Sequence, residues 1–278
     1  MMLIEADDLL RRLRAGERFA LLDTRDRHDW LAGSLPGADH FNVYDYFIDE
    51  CNEAGIAAMA DDVMVGWQWL DVADDITPVF FEQQTGMRSP RGVWFAWLIG
   101  RSDALVLNGG VDAWLAAGGS LSPGTGVDSA VEHQLIRGVA KNFVRGLTAS
   151  RQQVLDADGQ QRVILDARRP TEFDASFVHD CCHRAGRIPG AHLLFWEEII
   201  EDGAFRSPAD IAQRAAAAGL HPEQQLYIYC HRGARAATVL VALRLAGYRH
   251  LAVYVGSWHE WAEHAELPIV QERSTGLT

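Results

Sequence analysis

The sequence predicts an α/β protein of two domains, each a parallel sheet flanked by helices on both faces. Short apolar runs alternate with helix-length segments, and motifs of the first half return in the same order in the second. A chain of 278 residues that is 48% hydrophobic supplies enough apolar material for two cores, with about 130 residues to each domain.

The elements follow in order. Residues 5–15 carry a helical amphipathic pattern, and Phe19-Ala20-Leu21-Leu22-Asp23 reads as a buried strand ending at Thr24-Arg25. Gly33 to His40 is turn-rich, and an aromatic-rich stretch containing Cys51 then runs to Trp69 with no element or role assigned. Residues 77–81 and 104–107 read as strands, and residues 90–100 and 111–117 as helices. Ser120-Leu121-Ser122-Pro123-Gly124-Thr125-Gly126 has the composition of a linker. The expected division is a first domain over 1–122, a linker over 123–146 and a second domain over 147–278.

The repeat is visible in three blocks. Val163-Ile164-Leu165-Asp166-Ala167-Arg168 answers the strand that ends at Asp23 and Arg25, Ile188-Pro189-Gly190-Ala191 answers Leu35-Pro36-Gly37-Ala38, and Trp261 answers Trp114 at an offset of 147 (261 − 114). Carried to residues 230–235, that offset sets Gln83 against Cys230, Gly86 against Gly233 and Arg88 against Arg235. The first domain therefore reads as a non-catalytic copy that lacks a nucleophile.

The second half centres on Tyr227-Ile228-Tyr229-Cys230-His231-Arg232-Gly233-Ala234-Arg235-Ala236, a strand, a tight loop and a helix expected from about Ala236 to Ala246. The first N–H groups of a helix have no intrahelical partner, and the helix dipole adds positive character there. Thiols at helix starts or beside arginine ionise more readily, and the thiolate is the nucleophile. Gly233 allows a backbone turn in which successive N–H groups from His231 to Arg235 converge on one anion. The plainer alternative is a buried cysteine at a strand end.

Composition excludes some partners. A net charge of −13 argues against nucleic acid or an anionic membrane as the main partner. Four cysteines in a chain this long do not call for a disulfide framework, the N-terminus lacks the basic and apolar regions of a signal peptide, and no long apolar run is present. A cytoplasmic protein without a cofactor is the expectation.

The strand ends at Asp23 and Asp166, the paired Pro-Gly-Ala motifs, the cysteine loop of the second half alone and Gly256-Ser257-Trp258-His259-Glu260-Trp261 together resemble the tandem-domain rhodanese family, the thiosulfate and 3-mercaptopyruvate sulfurtransferases. The resemblance covers nearly the whole chain. It implies a sulfurtransferase in which Cys230 takes sulfane sulfur from thiosulfate, or a related donor, as a persulfide and passes it to cyanide, a thiol or a thioredoxin-like partner. A 3-mercaptopyruvate enzyme and a persulfide carrier without its own small donor remain alternatives. Phosphatases and arsenate reductases are more distant, since their loop is Cys-x5-Arg and the spacing from Cys230 to Arg235 is one residue shorter. Cys181 to Arg187 does read Cys-x5-Arg, but no strand precedes it and Pro189 follows where a helix would begin.

The basic residues His231 and Arg232 resemble thiosulfate-preferring members, and their charge would attract a dianionic donor and help expel sulfite. Arg232 is otherwise a solvated surface residue. Arg235 and Arg168 are further substrate-binding candidates, although Arg25 at the matched place in the first half makes a structural role for Arg168 equally open. Glu172 stands where the family carries a second arginine, and Ser34 where it carries a histidine. The resemblance places Cys181, Cys182 and His183 on the rim of the site, where the cysteines are either incidental or serve as a persulfide relay or a redox pair. A Cys/His metal site is conceivable but weak, because adjacent ligands lack a second pair at zinc spacing, and no metal is expected.

Overall fold

The structure is a computed structural model, and it describes residues 2–129 and 143–271. Residues 130–142 of the expected linker lie outside the described residues. Two compact units are present: Met1–Tyr46, Ala57–Arg145 and Ile200–Phe205 form the first, and Phe47–Ile56, Gly146–Ile199 and Arg206–Thr278 form the second.

In the first unit, β1 (Leu3–Ile4), α1 (Ala6–Arg14), β2 (Phe19–Asp23), α2 (Arg27–Ala32), β3 (Asp39–His40), most of α3 (Glu53–Trp69), β4 (Thr77–Phe81), α4 (Ser89–Leu98), β5 (Leu105–Leu107) and α5 (Gly110–Ala116) follow in order. The strands form one parallel sheet in the order β1-β5-β4-β2-β3. Because β2 and β4 run beneath helices, their apolar runs are continuous instead of alternating. All ten residues of α4 are buried, Arg91 included, whose NH2 donates to the Tyr46 carbonyl at 2.8 Å. Leu9, Leu21, Val79, Phe81, Leu107 and Trp114 lie in the core. The stretch given no element by the sequence holds α3, whose weak helical periodicity reflects apolar residues on several faces.

The second unit contains α6 (Arg151–Leu155), β6 (Arg162–Asp166), α7 (Pro170–Phe173), β7 (His192–Leu193), α8 (Pro208–Ala217), β10 (Gln225–Tyr229), α9 (Ala234–Leu245), β11 (Leu251–Val253) and α10 (Ser257–Glu263). Its parallel sheet has the order β11-β10-β6-β7. The antiparallel pair β8 (Ile200–Glu201) and β9 (Ala204–Phe205) groups with the first unit instead. The α/β architecture of parallel sheets flanked by helices agrees with the sequence expectation. Among the described residues, no helix is long and apolar enough to cross a membrane.

The segment Phe47–Ile56 is fastened inside the second unit. The Cys51 N–H donates to Glu260 Oε1 at 2.8 Å, its S–H donates to the Ala149 carbonyl at 3.3 Å, and its carbonyl accepts the Arg151 N–H at 2.8 Å. Arg151 in turn pairs with Glu50 and Glu260 at 2.7 and 2.8 Å. Burial pushes the Cys51 thiol up to about 12, so it remains an unreactive packing group.

Candidate active site

Strand β10 lies between β6 and β11, in a register that sets Tyr229 opposite Asp166 and Ile228 opposite Val253. Cys230 therefore leaves the sheet at the carboxyl ends of parallel strands, the edge at which open α/β sheets bind ligands. It is 1% exposed. Its N–H donates to Ser257 Oγ at 3.1 Å, the Ser257 hydroxyl donates to the Tyr254 carbonyl at 2.8 Å, and the Cys230 carbonyl accepts the Trp258 N–H at 3.0 Å. Ser257 holds φ +55, a left-handed conformation that costs a residue with a side chain on the order of 1 kcal/mol or more. That strained residue orients the cysteine backbone, and only its place in the Gly256–Trp261 motif pointed to it in the sequence.

After Cys230 the chain turns through Gly233, at φ +86, into α9. A Cβ at Gly233 would enter the left-handed region at a cost and meet Val255 Cγ1 at 3.3 Å. The Gly233 N–H donates to Cys230 Sγ at 3.1 Å. The helix begins two residues earlier than the sequence suggested, which makes Ala234 and Arg235 part of its first turn and leaves their N–H groups without intrahelical acceptors.

The charges around the sulfur differ from their appearance in the sequence. Arg235 NH1 and NH2 bond Glu172 at 2.6 and 3.1 Å, and Glu172 is 2% exposed. Glu172 is thus the partner of Arg235. Burial alone would raise the Glu172 carboxyl, but the Arg235 hydrogen bond and charge outweigh it and hold the group at about 2. Burial opposes the charge on Arg235, yet the bond to Glu172 and the nearby Cys230 sulfur keep its pKa raised.

His231 does not supply the positive charge expected of it. Burial, reinforced by His179, Arg235 and His259, lowers it to about 3, so the ring is neutral near pH 7. It stacks on His179 with centroids 4.1 Å apart, and His179 Nε2 meets Glu172 at 3.0 Å. Arg232 is exposed, bonds His259 and lies over the Phe47 ring at 5.6 Å. Together with Ile48, Asp49, Val255 and Gly256 these residues line a pocket of about 150 Å³. The part of this wall from Phe47 to Asp49 comes from the stretch to which the sequence assigned nothing.

Arg168 is 1% exposed, with Nε and NH2 on Asp166 at 2.9 and 2.6 Å, NH2 on the Gly186 carbonyl at 2.7 Å, and its guanidinium 4.6 Å from the Trp258 ring. Arg25 repeats this arrangement on Asp23 and the Gly33 carbonyl at 2.7 and 2.6 Å. Each arginine braces a strand end, and the geometry is that of a structural group.

The rim segment is tied down by Arg184, whose guanidinium donates to the carbonyls of Trp261, Ala262, His264, Ala265 and Leu267. Cys181 Sγ lies 3.4 Å from His231 Nε2, and Cys182 Sγ lies 3.9 Å from His231 Nδ1. His183 points away, 80% exposed and 3.6 Å from Glu263.

The rhodanese-like domain profile matches residues 5–117 and again 150–264. The chain belongs to the rhodanese-like family. A thiosulfate sulfurtransferase of Azotobacter vinelandii is 27% identical over 96% of both chains. One of Corynebacterium glutamicum is 30% identical over 73% of this chain and 69% of its own. The crystal structure of a 3-mercaptopyruvate sulfotransferase from Escherichia coli superposes with a TM-score of 0.75 at 22% identity, covering 93% of this chain and 99% of the other.

The first rhodanese-like domain has its own version of the loop. Strand β4 pairs Phe81 with Asp23 as β10 pairs Tyr229 with Asp166, so Glu82 follows its strand as Cys230 does. The Glu82 and Gln83 carbonyls accept the N–H groups of Val111 and Asp112, just as those of Cys230 and His231 accept Trp258 and His259. Structure therefore matches Glu82, not Gln83, to Cys230. The constant offset misled because the first loop, 82–88, is longer than the second, 230–233, by three residues (88 − 82 against 233 − 230). Glu82 Oε1 accepts the N–H groups of Gly86, Arg88 and Ser89 at 3.0, 3.0 and 2.8 Å and the Ser89 hydroxyl at 2.9 Å. A carboxylate oxygen fills the anion cradle of this domain. Burial nonetheless pushes the Glu82 carboxyl upward against those donors.

Proposed function

We propose that the chain is a sulfurtransferase that moves sulfane sulfur from thiosulfate, or a related anionic donor, to cyanide or a thiol through a persulfide on Cys230. The observation that carries this reading is the Cys230 sulfur at a strand end, taking the Gly233 N–H at 3.1 Å beside the first turn of α9. The Cys230 thiolate attacks the sulfane sulfur, a new S–S bond forms, the bond to the sulfonate sulfur breaks, and sulfite leaves with the electron pair. Cyanide or a thiolate then attacks the terminal sulfur, and the electron pair of the persulfide bond returns to Cys230. Between the two steps, the free amides and dipole of α9 stabilise the added anionic sulfur.

Donor recognition falls to Arg232 and the pocket it shares with Phe47 and His259, because His231 is neutral and Arg235 is matched by Glu172. The first domain, with Glu82 in its cradle, offers no nucleophile and is non-catalytic in this reading. The names of the Azotobacter and Corynebacterium relatives support thiosulfate as donor. A second reading, a persulfide carrier loaded by another enzyme, draws on a sulfur carrier protein of Thermus thermophilus that is 23% identical over 95% of this chain.

The test mixes protein, thiosulfate and cyanide and measures thiocyanate. Activity is expected to fall to background in Cys230→Ser, and intact-mass analysis of thiosulfate-treated protein should show one added sulfur atom on Cys230. Equal turnover by the variant would overturn the assignment. Loading by a cysteine desulfurase but by no small donor would select the carrier.

A further inference from the structure

We propose that Cys181, Cys182 and His231 form a binding site for a thiophilic divalent cation such as Zn²⁺. The three ligand atoms, two sulfurs and one ring nitrogen, lie within 4.8 Å of one another. A tetrahedral zinc with Zn–S of about 2.3 Å and Zn–N of about 2.0 Å sets its sulfur and nitrogen ligands about 3.5 Å apart. The Cys181 Sγ to His231 Nε2 separation is 3.4 Å.

Two further features suit the site. The segment that carries the cysteines is held in place by the Arg184 bonds to five backbone carbonyls and by the Cys182 N–H on the His179 carbonyl at 2.9 Å, so its backbone is fixed before a metal arrives. Cys181 is exposed whereas Cys182 is buried, so the cation has an approach from solvent and keeps an outward position for water. This is a three-ligand set that leaves the fourth tetrahedral position to water. Metal entry displaces the two thiol protons to solvent. The adjacent cysteines lack the second pair that zinc spacing asks for in a sequence, and folding supplies the third ligand from far along the chain.

His231 directly follows Cys230 in the chain, so an occupied site bears on the loop that carries the proposed nucleophile. That consequence rests on the proposed function, whereas binding itself does not, and the experiment therefore reads binding in the Cys230→Ser background. Reduced, metal-free protein is titrated with Zn²⁺ against a chromophoric chelator, and with Co²⁺ while the visible spectrum is followed. One equivalent of Zn²⁺ is expected to bind Cys230→Ser, and Co²⁺ to give thiolate charge-transfer bands with the intense d–d absorption of a tetrahedral centre. Adding Cys181→Ser, an exposed position that does not disturb the core, should weaken Zn²⁺ binding at least a hundredfold. His231→Asn should weaken it similarly while circular dichroism stays unchanged. Equal affinity after Cys181→Ser, loss of binding in Cys230→Ser alone, or an octahedral Co²⁺ spectrum would overturn the proposal.

Discussion

Glu172→Gln isolates the charge of one buried carboxylate while keeping its shape. The folded protein holds this carboxyl at about 2 against its ordinary 4.5, which corresponds to about 3 kcal/mol of stability at neutral pH. The independent range for breaking a buried ion pair by altering one partner is about 3–5 kcal/mol, so the two routes agree. Because the folded value lies below the unfolded one, the stabilisation is whole above pH 4.5 and drains as pH falls toward 2, with less than half left at pH 3. Thermal and urea unfolding followed by tryptophan fluorescence should show Glu172→Gln less stable by about 3 kcal/mol at pH 7, a fall in Tm on the order of 10 °C. The deficit should narrow by half or more at pH 3. A variant within about 1 kcal/mol of the parent at pH 7, or a deficit independent of pH, would refute the reasoning. The same substitution leaves Arg235 unneutralised, so the KM for thiosulfate should fall.

Gly233→Ala adds a Cβ at φ +86 and 3.3 Å from Val255; it should cost about 1–2 kcal/mol and, by shifting the N–H off the sulfur, lower kcat/KM for thiocyanate formation about tenfold or more. Unchanged kinetics would remove that amide from the mechanism. His231→Asn should leave the pH dependence of sulfur transfer between pH 5.5 and 8 unaltered, since the ring titrates at about 3, and the loss of an inflection in that window would contradict a neutral imidazole. Arg168→Lys removes the fork that grips Asp166 and the Gly186 carbonyl and should destabilise the fold by about 3 kcal/mol with little change in the KM for thiosulfate. A raised KM without lost stability would make Arg168 a donor contact.

Much of the fold was legible because parallel strands under helices are written as unbroken apolar runs, and β2, β4 and β10 were readable from Phe19–Asp23, Thr77–Phe81 and the run before Cys230. The loop around Cys230 was legible for a similar reason, since a strand end, a glycine and a helix start leave little freedom. Pairings across the chain were not. Nothing local to Glu172 announces that Arg235 will take its charge, and nothing near His231 announces that burial among His179, Arg235 and His259 will hold it neutral. Phe47–Asp49 stayed silent because their role depends on the Cys51 and Arg151 bonds that fasten this segment into the second unit.

The cradle around Glu82 bears on how such a duplicated domain could regain chemistry. The carboxylate reaches its donors from a long side chain across a loop three residues longer than the one at Cys230 (88 − 82 against 233 − 230). A cysteine placed there by a single codon change would be too short to meet the amides of Gly86, Arg88 and Ser89, and it would leave their hydrogen bonds empty. Rearming the first domain therefore requires a deletion as well as a substitution.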